Sequence, residues 1–275
     1  MLSSIVLSGW NLKAAFSDPK RVKAALDTVL ITSPDVIVFP DAWHEDSERS
    51  IPTTRHLLLS DADFQQRGYT PLKTYLRDDR PDDNYARYGF LTLYKTDTTP
   101  LSAVEVYLGF RSAHHLRYAF GDTTLNVITL YLNDQSEENR LVQVQDLLNY
   151  LVPYQNEPTV ILGDFNAMHK KSAIGWVLQN KLFRASLGKL SIANNTFPRL
   201  VEMASGTTLQ TLEANGFYDA EPENIATMPS QLPVFQLDRC MVRDPYGLLQ
   251  VKRPARISRP KVSDHIQILT TVSVK

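Results

Sequence analysis

The sequence predicts a layered α/β or α+β protein. The continuous apolar run at residues 36–39 and the segment at 159–162 read as buried strands, amphipathic helical stretches are interspersed with them, and neither repeat nor linker interrupts the order. With 275 residues, 43% hydrophobic and 21% charged, the chain can bury a large core without covalent staples. It is expected to form one domain over residues 1–275.

The first strand is expected at residues 5–12. Ser17-Asp18-Pro19 then opens a helix with a capping side chain and a proline in the first turn, followed by Val22, Leu26, Val29 and Leu30 at helical spacing. Ser33-Pro34-Asp35 breaks it before the strand at 36–39. Residues 53–67 suggest one or two short helices stopped at Gly68. Strands follow at 88–94, 103–110, 116–120 and 125–132, with Gly121-Asp122 turning between the last two. Residues 137–151 form an amphipathic helix with Leu141, Val144, Leu148 and Leu151 on one stripe. A strand at 159–162, a helix at 207–215 and strands at 235–242 and 266–272 complete the pattern of about ten strands and several helices. Residues 78–83, Asp-Asp-Arg-Pro-Asp-Asp, are too polar for a core and read as a solvated loop that would repel a polyanion if it bordered a site.

The charge balance is even, 29 Lys and Arg against 30 Asp and Glu, so the basic excess of a dedicated nucleic-acid binder is missing, although a local basic patch is compatible with it. The lone Cys240 reads as a small buried strand residue. No basic n-region or long apolar run marks a signal or a membrane span, and a cytoplasmic location is the expectation. His44, His114, His115 and His169 stand in no motif and read as packing or surface residues. Lys170 and Lys171 are read equally as a solvated pair or as phosphate contacts.

Four segments end in polar residues that core packing does not explain. Residues 160–162 run into Gly163-Asp164-Phe165-Asn166, residues 36–39 into Pro40-Asp41, and residues 6–10 into Asn11, while Ser263-Asp264-His265 leads into the last strand. Strand ends are where layered α/β proteins place sites, and carboxylates and amides are the donors that Mg²⁺ and Mn²⁺ prefer. Hydrolysis needs an activated water and a group for developing charge, which Asp, Asn, His and a hard cation supply.

These segments resemble the endonuclease/exonuclease/phosphatase family. Gly163-Asp164-Phe165-Asn166 is similar to its GDFN motif, Ser263-Asp264-His265 to its SDH motif, and Ser8-Gly9-Trp10-Asn11 to its N-terminal strand. Residues 35–43 are similar to the segment usually reading DIIALQEVW, and Gln236-Leu237-Asp238-Arg239 to its R-I-D-Y strand. All arrive in the family's order, so the resemblance spans almost the whole chain. It implies the DNase I-like fold, an α+β four-layer αββα sandwich of two mixed sheets with outer helices. It also implies a Mg²⁺- or Mn²⁺-dependent hydrolase acting on a phosphoester, with nucleic acid among the candidate substrates.

Carried over by position, the resemblance makes Asp41 a metal ligand with Asn11 beside it. Asp164 activates or orients the water, and Asn166 holds a phosphate oxygen or orients the nucleophile. His265 donates to the phosphate with Asp238 as its orienter, and Asp264 binds metal or orients a polar group. Two departures stand out. The usual Gln-Glu is Pro40-Asp41, one methylene short, so Glu45 enters as a substitute ligand if the following loop folds back. The usual catalytic His is Tyr131, as in the abasic-site endonuclease branch, where a Tyr reaches the phosphate. That branch's W-W-D-Y segment is replaced by Thr227-Met228-Pro229-Ser230, closer to the general small hydrolases. Three readings therefore stay open: a phosphodiesterase, a nuclease of the abasic-site type, and a weakened scaffold used for binding.

Overall fold

The computed structural model describes residues 1–45, 58–77, 87–109, 111–169, 178, 180, 196–221, 226–259 and 261–275. The first sheet contains β1 (Ser4–Gly9), β2 (Val36–Glu45), β3 (Tyr69–Arg77), β4 (Arg87–Lys95), β11 (Leu249–Val251), β12 (Ala255–Ile257) and β13 (Gln267–Val274). Its order is β11-β13-β1-β2-β4-β3, with β12 also on β13. The second sheet contains β5 (Ser102–Leu108), β6 (Arg111–Phe120), β7 (Thr123–Tyr131), β8 (Thr159–Asp164), β9 (Tyr218–Asp219) and β10 (Asp238–Arg243), in the order β5-β6-β7-β8-β10-β9. Each sheet is mixed, with β1 parallel to β2 and β7 parallel to β8 among antiparallel neighbours.

Side-chain alternation explains the layers. Val36 and Val38 of β2 join Ile5 and Leu7 of β1, Val127 of β7, Val160 and Leu162 of β8 and Cys240 of β10 in one cluster between the sheets. The intervening Ile37 and Phe39 face outward, with Ala25, Leu26 and Val29 of α1 (Pro19–Thr32) and Phe64 of α2 (Asp61–Gln65). On the second sheet, Ile128, Leu130, Ile161 and Met241 face outward. There they meet Val144 and Leu147 of α3 (Glu137–Tyr150) and Leu209 and Leu212 of α5 (Thr207–Ala214), the helix after α4 (Thr196–Met203). The result is the αββα sandwich. A strand covered on both faces is mostly apolar, which is why residues 36–39 and 160–162 are unbroken apolar runs.

The helix at residues 19–32 begins as expected, with the Asp18 side chain accepting from the Lys20 amide at 2.8 Å and Pro19 in the first turn. Cys240 is buried in β10, as read. Of the region 53–67, the helix among the described residues is Asp61–Gln65, and Gly68 (φ +79°) follows it. Residues 78–83, Lys170 and Lys171 lie outside the described residues. β3 was not expected, because Thr70, Pro71 and Lys73 break both periodicities. It is the edge strand of its sheet, where a proline removes no needed hydrogen bond. Among the described residues no helix is long and apolar enough to cross a membrane.

Candidate active site

The parallel pairs β1/β2 and β7/β8 point the same way, so the ends of β1, β7 and β8 and the starts of the antiparallel β10 and β13 gather at one edge of the sandwich. In the second sheet Tyr131 pairs with Asp164, and Asp164 with Asp238, forming one row across β7, β8 and β10. By alternation all three belong to the face carrying Val127, Leu162 and Cys240, and so sit at the rim of the inter-sheet core. The first sheet contributes Asn11 after β1, Asp41 within β2 and Asp264-His265 before β13. These residues, with Asn166, line one cleft of about 270 Å³.

Backbone geometry places each group. Gly163 has φ +152°, and a Cβ there would lie 2.0 Å from the Leu130 carbonyl oxygen, so only glycine lets β8 carry Asp164 this close to β7. In the β2/β4 ladder, Phe39 pairs with Leu91 and Trp43 with Gly89, so three residues of β2 face one of β4. That bulge turns Asp41 (φ +51°) into the cleft. Asn166 (φ +48°), Lys13 (φ +47°) and Ala14 (φ +55°) also adopt left-handed conformations around the cleft. Such residues cost roughly 1–3 kcal/mol each and persist where the surroundings over-determine them.

Hydrogen bonds then lock the side chains. Asp164 accepts from the Asn11 amide (2.9 Å) and the Asn166 backbone N–H (2.9 Å), while the Asn166 side chain donates to the Leu132 carbonyl (3.0 Å). His265 Nδ1 and Asp238 Oδ2 are 2.8 Å apart, which turns Nε2 to other partners. The Trp10 indole donates to the His265 carbonyl, and Ser263 Oγ donates to the Asn11 carbonyl while accepting from the His265 N–H. Thr227 Oγ1 accepts from the Leu237 and Asp238 amides, and Ser230 bonds to the carbonyls of Ser263 and Asp264. The Thr-x-x-Ser pattern therefore clamps the turn that carries Asp264 and His265.

Electrostatics follow from this packing. Burial and the Asp238 charge raise the Asp164 carboxyl to about 6, against the lowering pull of His265 and its hydrogen bonds. For His265, burial alone would lower the pKa, but Asp238, Asp164 and Asp264 override it and raise it to about 9. The cluster thus holds an imidazolium at neutral pH between buried carboxylates. Ligand atoms of Asp164, Asp238 and His265 lie within 4.8 Å of one another, close enough to share a cation.

Of the residues singled out from sequence, Asn11, Asp41, Tyr131, Asp164, Asn166, Asp264 and His265 line the cleft, and Asp238 stands directly behind His265. Glu45, read as a substitute ligand if the following loop folded back, ends β2 paired with Arg87, and its side chain lies outside the described residues. Three charged residues went unread. Lys13 lines the cleft and reaches Asp264 Oδ2 at 2.6 Å, Asp134 lines it too, and Arg111 lies over the Tyr131 ring with its carbon 4.3 Å from the centroid. No motif marks Arg111. Its only sequence cue is that it begins a strand that pairs with the one ending at Tyr131.

A model of the Endonuclease/Exonuclease/phosphatase family matches residues 9–265. No curated protein matches the sequence. The fold is similar to that of an endonuclease/exonuclease/phosphatase from Beutenbergia cavernae DSM 12333, with TM-score 0.66 and 14% identity over 99% of this chain and 72% of that one. It is similar to D. rerio TDP2 humanized by 14 mutations (TM-score 0.58, 14% identity, 99% and 100% covered). It is similar also to the human Nocturnin catalytic domain with bound sulfate (TM-score 0.56, 15% identity, 99% and 94% covered). With the family model spanning both strand-end motifs and the cleft between them, the chain belongs to the Endonuclease/Exonuclease/phosphatase family, whose members are generally hydrolytic phosphoesterases.

Proposed function

We propose that this protein is a divalent-metal-dependent phosphoesterase that hydrolyses a phosphodiester through an activated water. The observation that carries this reading is the buried Asp164–Asp238–His265 cluster at the cleft between the sheets. Asp164 orients the water and takes its proton, a role suited to a carboxyl raised to about 6. As the new P–O bond forms, the ester P–O bond opposite it breaks, and the displaced alkoxide leaves as the alcohol with a proton from solvent. His265, charged and held by Asp238, donates to a phosphate oxygen and stabilises the negative charge that builds on it. Asn166, fixed by Asp164 and the Leu132 carbonyl, presents its remaining donor capacity to the phosphate.

The residues fit a hard cation. Asp264 Oδ1 is a buried oxygen with no hydrogen-bond partner among the described residues. The Asn11 amide oxygen accepts from the Lys13 N–H and keeps a second lone pair. Asp41, Asp264 and Asn11 would hold Mg²⁺ or Mn²⁺, which supplies charge neutralisation at the phosphate. A nuclease reading keeps one favouring observation, that Tyr131 lines the cleft.

Hydrolysis of bis-p-nitrophenyl phosphate with Mg²⁺, Mn²⁺ or EDTA, beside Asp164→Ala, tests the proposal. Metal-dependent turnover lost in the variant supports it. Turnover unaffected by EDTA or by the substitution sinks it. Cleavage confined to an oligonucleotide carrying an abasic site moves the reading to the nuclease.

A further inference from the structure

Arg111 is the first residue of β6 and stands beyond the last β6/β7 pair, Ala113 with Leu130, so the ladder brings it level with Leu132. Its side chain is 2% exposed. It makes three contacts at once. The guanidinium lies over the Tyr131 ring at 4.3 Å, Nη1 donates to the Leu132 carbonyl at 2.9 Å, and Nη2 donates to Asp134 Oδ1 at 2.9 Å. The Leu132 carbonyl also accepts from the Asn166 side chain at 3.0 Å, so its two lone pairs are divided between Arg111 and Asn166. One planar cation therefore touches Tyr131 directly and Asn166 through a shared oxygen, and it takes its counter-charge from Asp134, which lines the cleft.

Resting on the proposed phosphoesterase reading, we infer that Arg111 is a positioning residue that holds Tyr131 and Asn166 facing the substrate phosphate. The geometry requires arginine. A fork donating to two acceptors while its flat face covers a ring is outside the reach of an ammonium, which makes point contacts only. The left-handed backbone of Asn166 gives the arrangement its purpose. That conformation is held by two bonds, to Asp164 and to the Leu132 carbonyl, and the second depends on how the carbonyl is shared. Tyr131 has replaced the usual histidine in a strand that is otherwise core. Its ring is packed into the inter-sheet cluster, with Arg111 on one face, so its orientation is set before a substrate arrives.

The test is a cycle of Arg111→Lys, Tyr131→Phe and the double variant, assayed for turnover of bis-p-nitrophenyl phosphate and for binding of inorganic phosphate by calorimetry, with melting temperatures as the folding control. Arg111→Lys is expected to lower kcat about tenfold with KM within twofold and to weaken phosphate about fivefold, while melting stays within a few degrees. In the Tyr131→Phe background the same substitution is expected to cost less than threefold. Effects that multiply across the two positions, or an unchanged kcat and phosphate affinity in Arg111→Lys, overturn the inference and leave the phosphoesterase reading standing. Coupled phosphate binding without turnover by the wild type overturns the phosphoesterase reading and leaves Arg111 as the organiser of an anion site. Wild-type protein that neither binds phosphate nor turns over diester overturns both.

Discussion

Two buried histidines of this sandwich have their pKa values pushed in opposite directions. His114 of β6 lies in the middle of the sandwich, stacked on Phe90 with centroids 4.5 Å apart. Its two nitrogens meet the hydroxyls of Thr92 (2.7 Å) and Thr74 (2.9 Å), and Thr92 meets Thr129 at 2.6 Å. Burial lowers its pKa to about 3. His265, equally hidden at the cleft, meets Asp238 and is raised to about 9. Desolvation acts on both in the same direction, so the difference lies in the partner. A hydroxyl satisfies a neutral ring, whereas a carboxylate makes the charged ring the better-satisfied form. The first region joins the sheets, and the second favours a charged ring at the cleft.

The comparison can be broken most forcefully at Asp164. Asp164→Asn should reduce turnover about 10³-fold, in the range for a general base, with retained folding checked by circular dichroism. Asp238→Asn removes the carboxylate that keeps His265 charged, and kcat should fall about 10²-fold. In chelator, the same variant should also change the pH dependence of stability measured by urea unfolding. The folded-state pKa of His265 lies above its ordinary 6.5, so its contribution is full below 6.5 and is lost as pH rises through about 9. That alkaline loss should shrink in Asp238→Asn, and an unchanged slope would contradict the pairing.

His114 must show the reverse sign. Its folded pKa is depressed, so its contribution is full above 6.5 and is lost as pH falls towards about 3. His114→Gln should flatten this acid limb and cost about 1–3 kcal/mol at pH 7 through its imperfectly matched threonines. The smallest expected change is in turnover of that same variant, within about twofold, because the described hydrogen bonds of the inter-sheet network join only Thr74, Thr92, His114 and Thr129 and no cleft residue. A tenfold loss of kcat with unchanged melting would mean that the two regions are coupled after all.

Part of this was legible from residues alone. The runs at 36–39 and 159–162 identified strands covered on both sides, and Asp18-Pro19 identified the start of α1. The polar groups after those strands pointed to the cleft because no core explains them. His114 was readable as packing, since it stands in no motif. The Asp41 bulge was not legible, because a ladder mismatch depends on β4 as much as on β2. Neither was β3, whose proline is tolerated only at a sheet edge that the neighbouring strands define. Arg111 was invisible for a third reason: its three contacts all belong to another strand and the loop after it.

The sequence by itself determined the chemistry that is available: carboxylates, amides and a histidine at strand ends, the glycine that permits a close approach at 163, and the apolar alternation that stacks two sheets between helices. Each is a property of local residues and their spacing. Tertiary structure alone decided how those groups act on one another. It set Tyr131, Asp164 and Asp238 in one row, brought His265 from the opposite sheet to within 2.8 Å of Asp238, and laid Arg111 over Tyr131. The strength of an ionic or hydrogen-bonding contact depends on distance and on exclusion of water. Both are fixed only when strands far apart in the chain pack together.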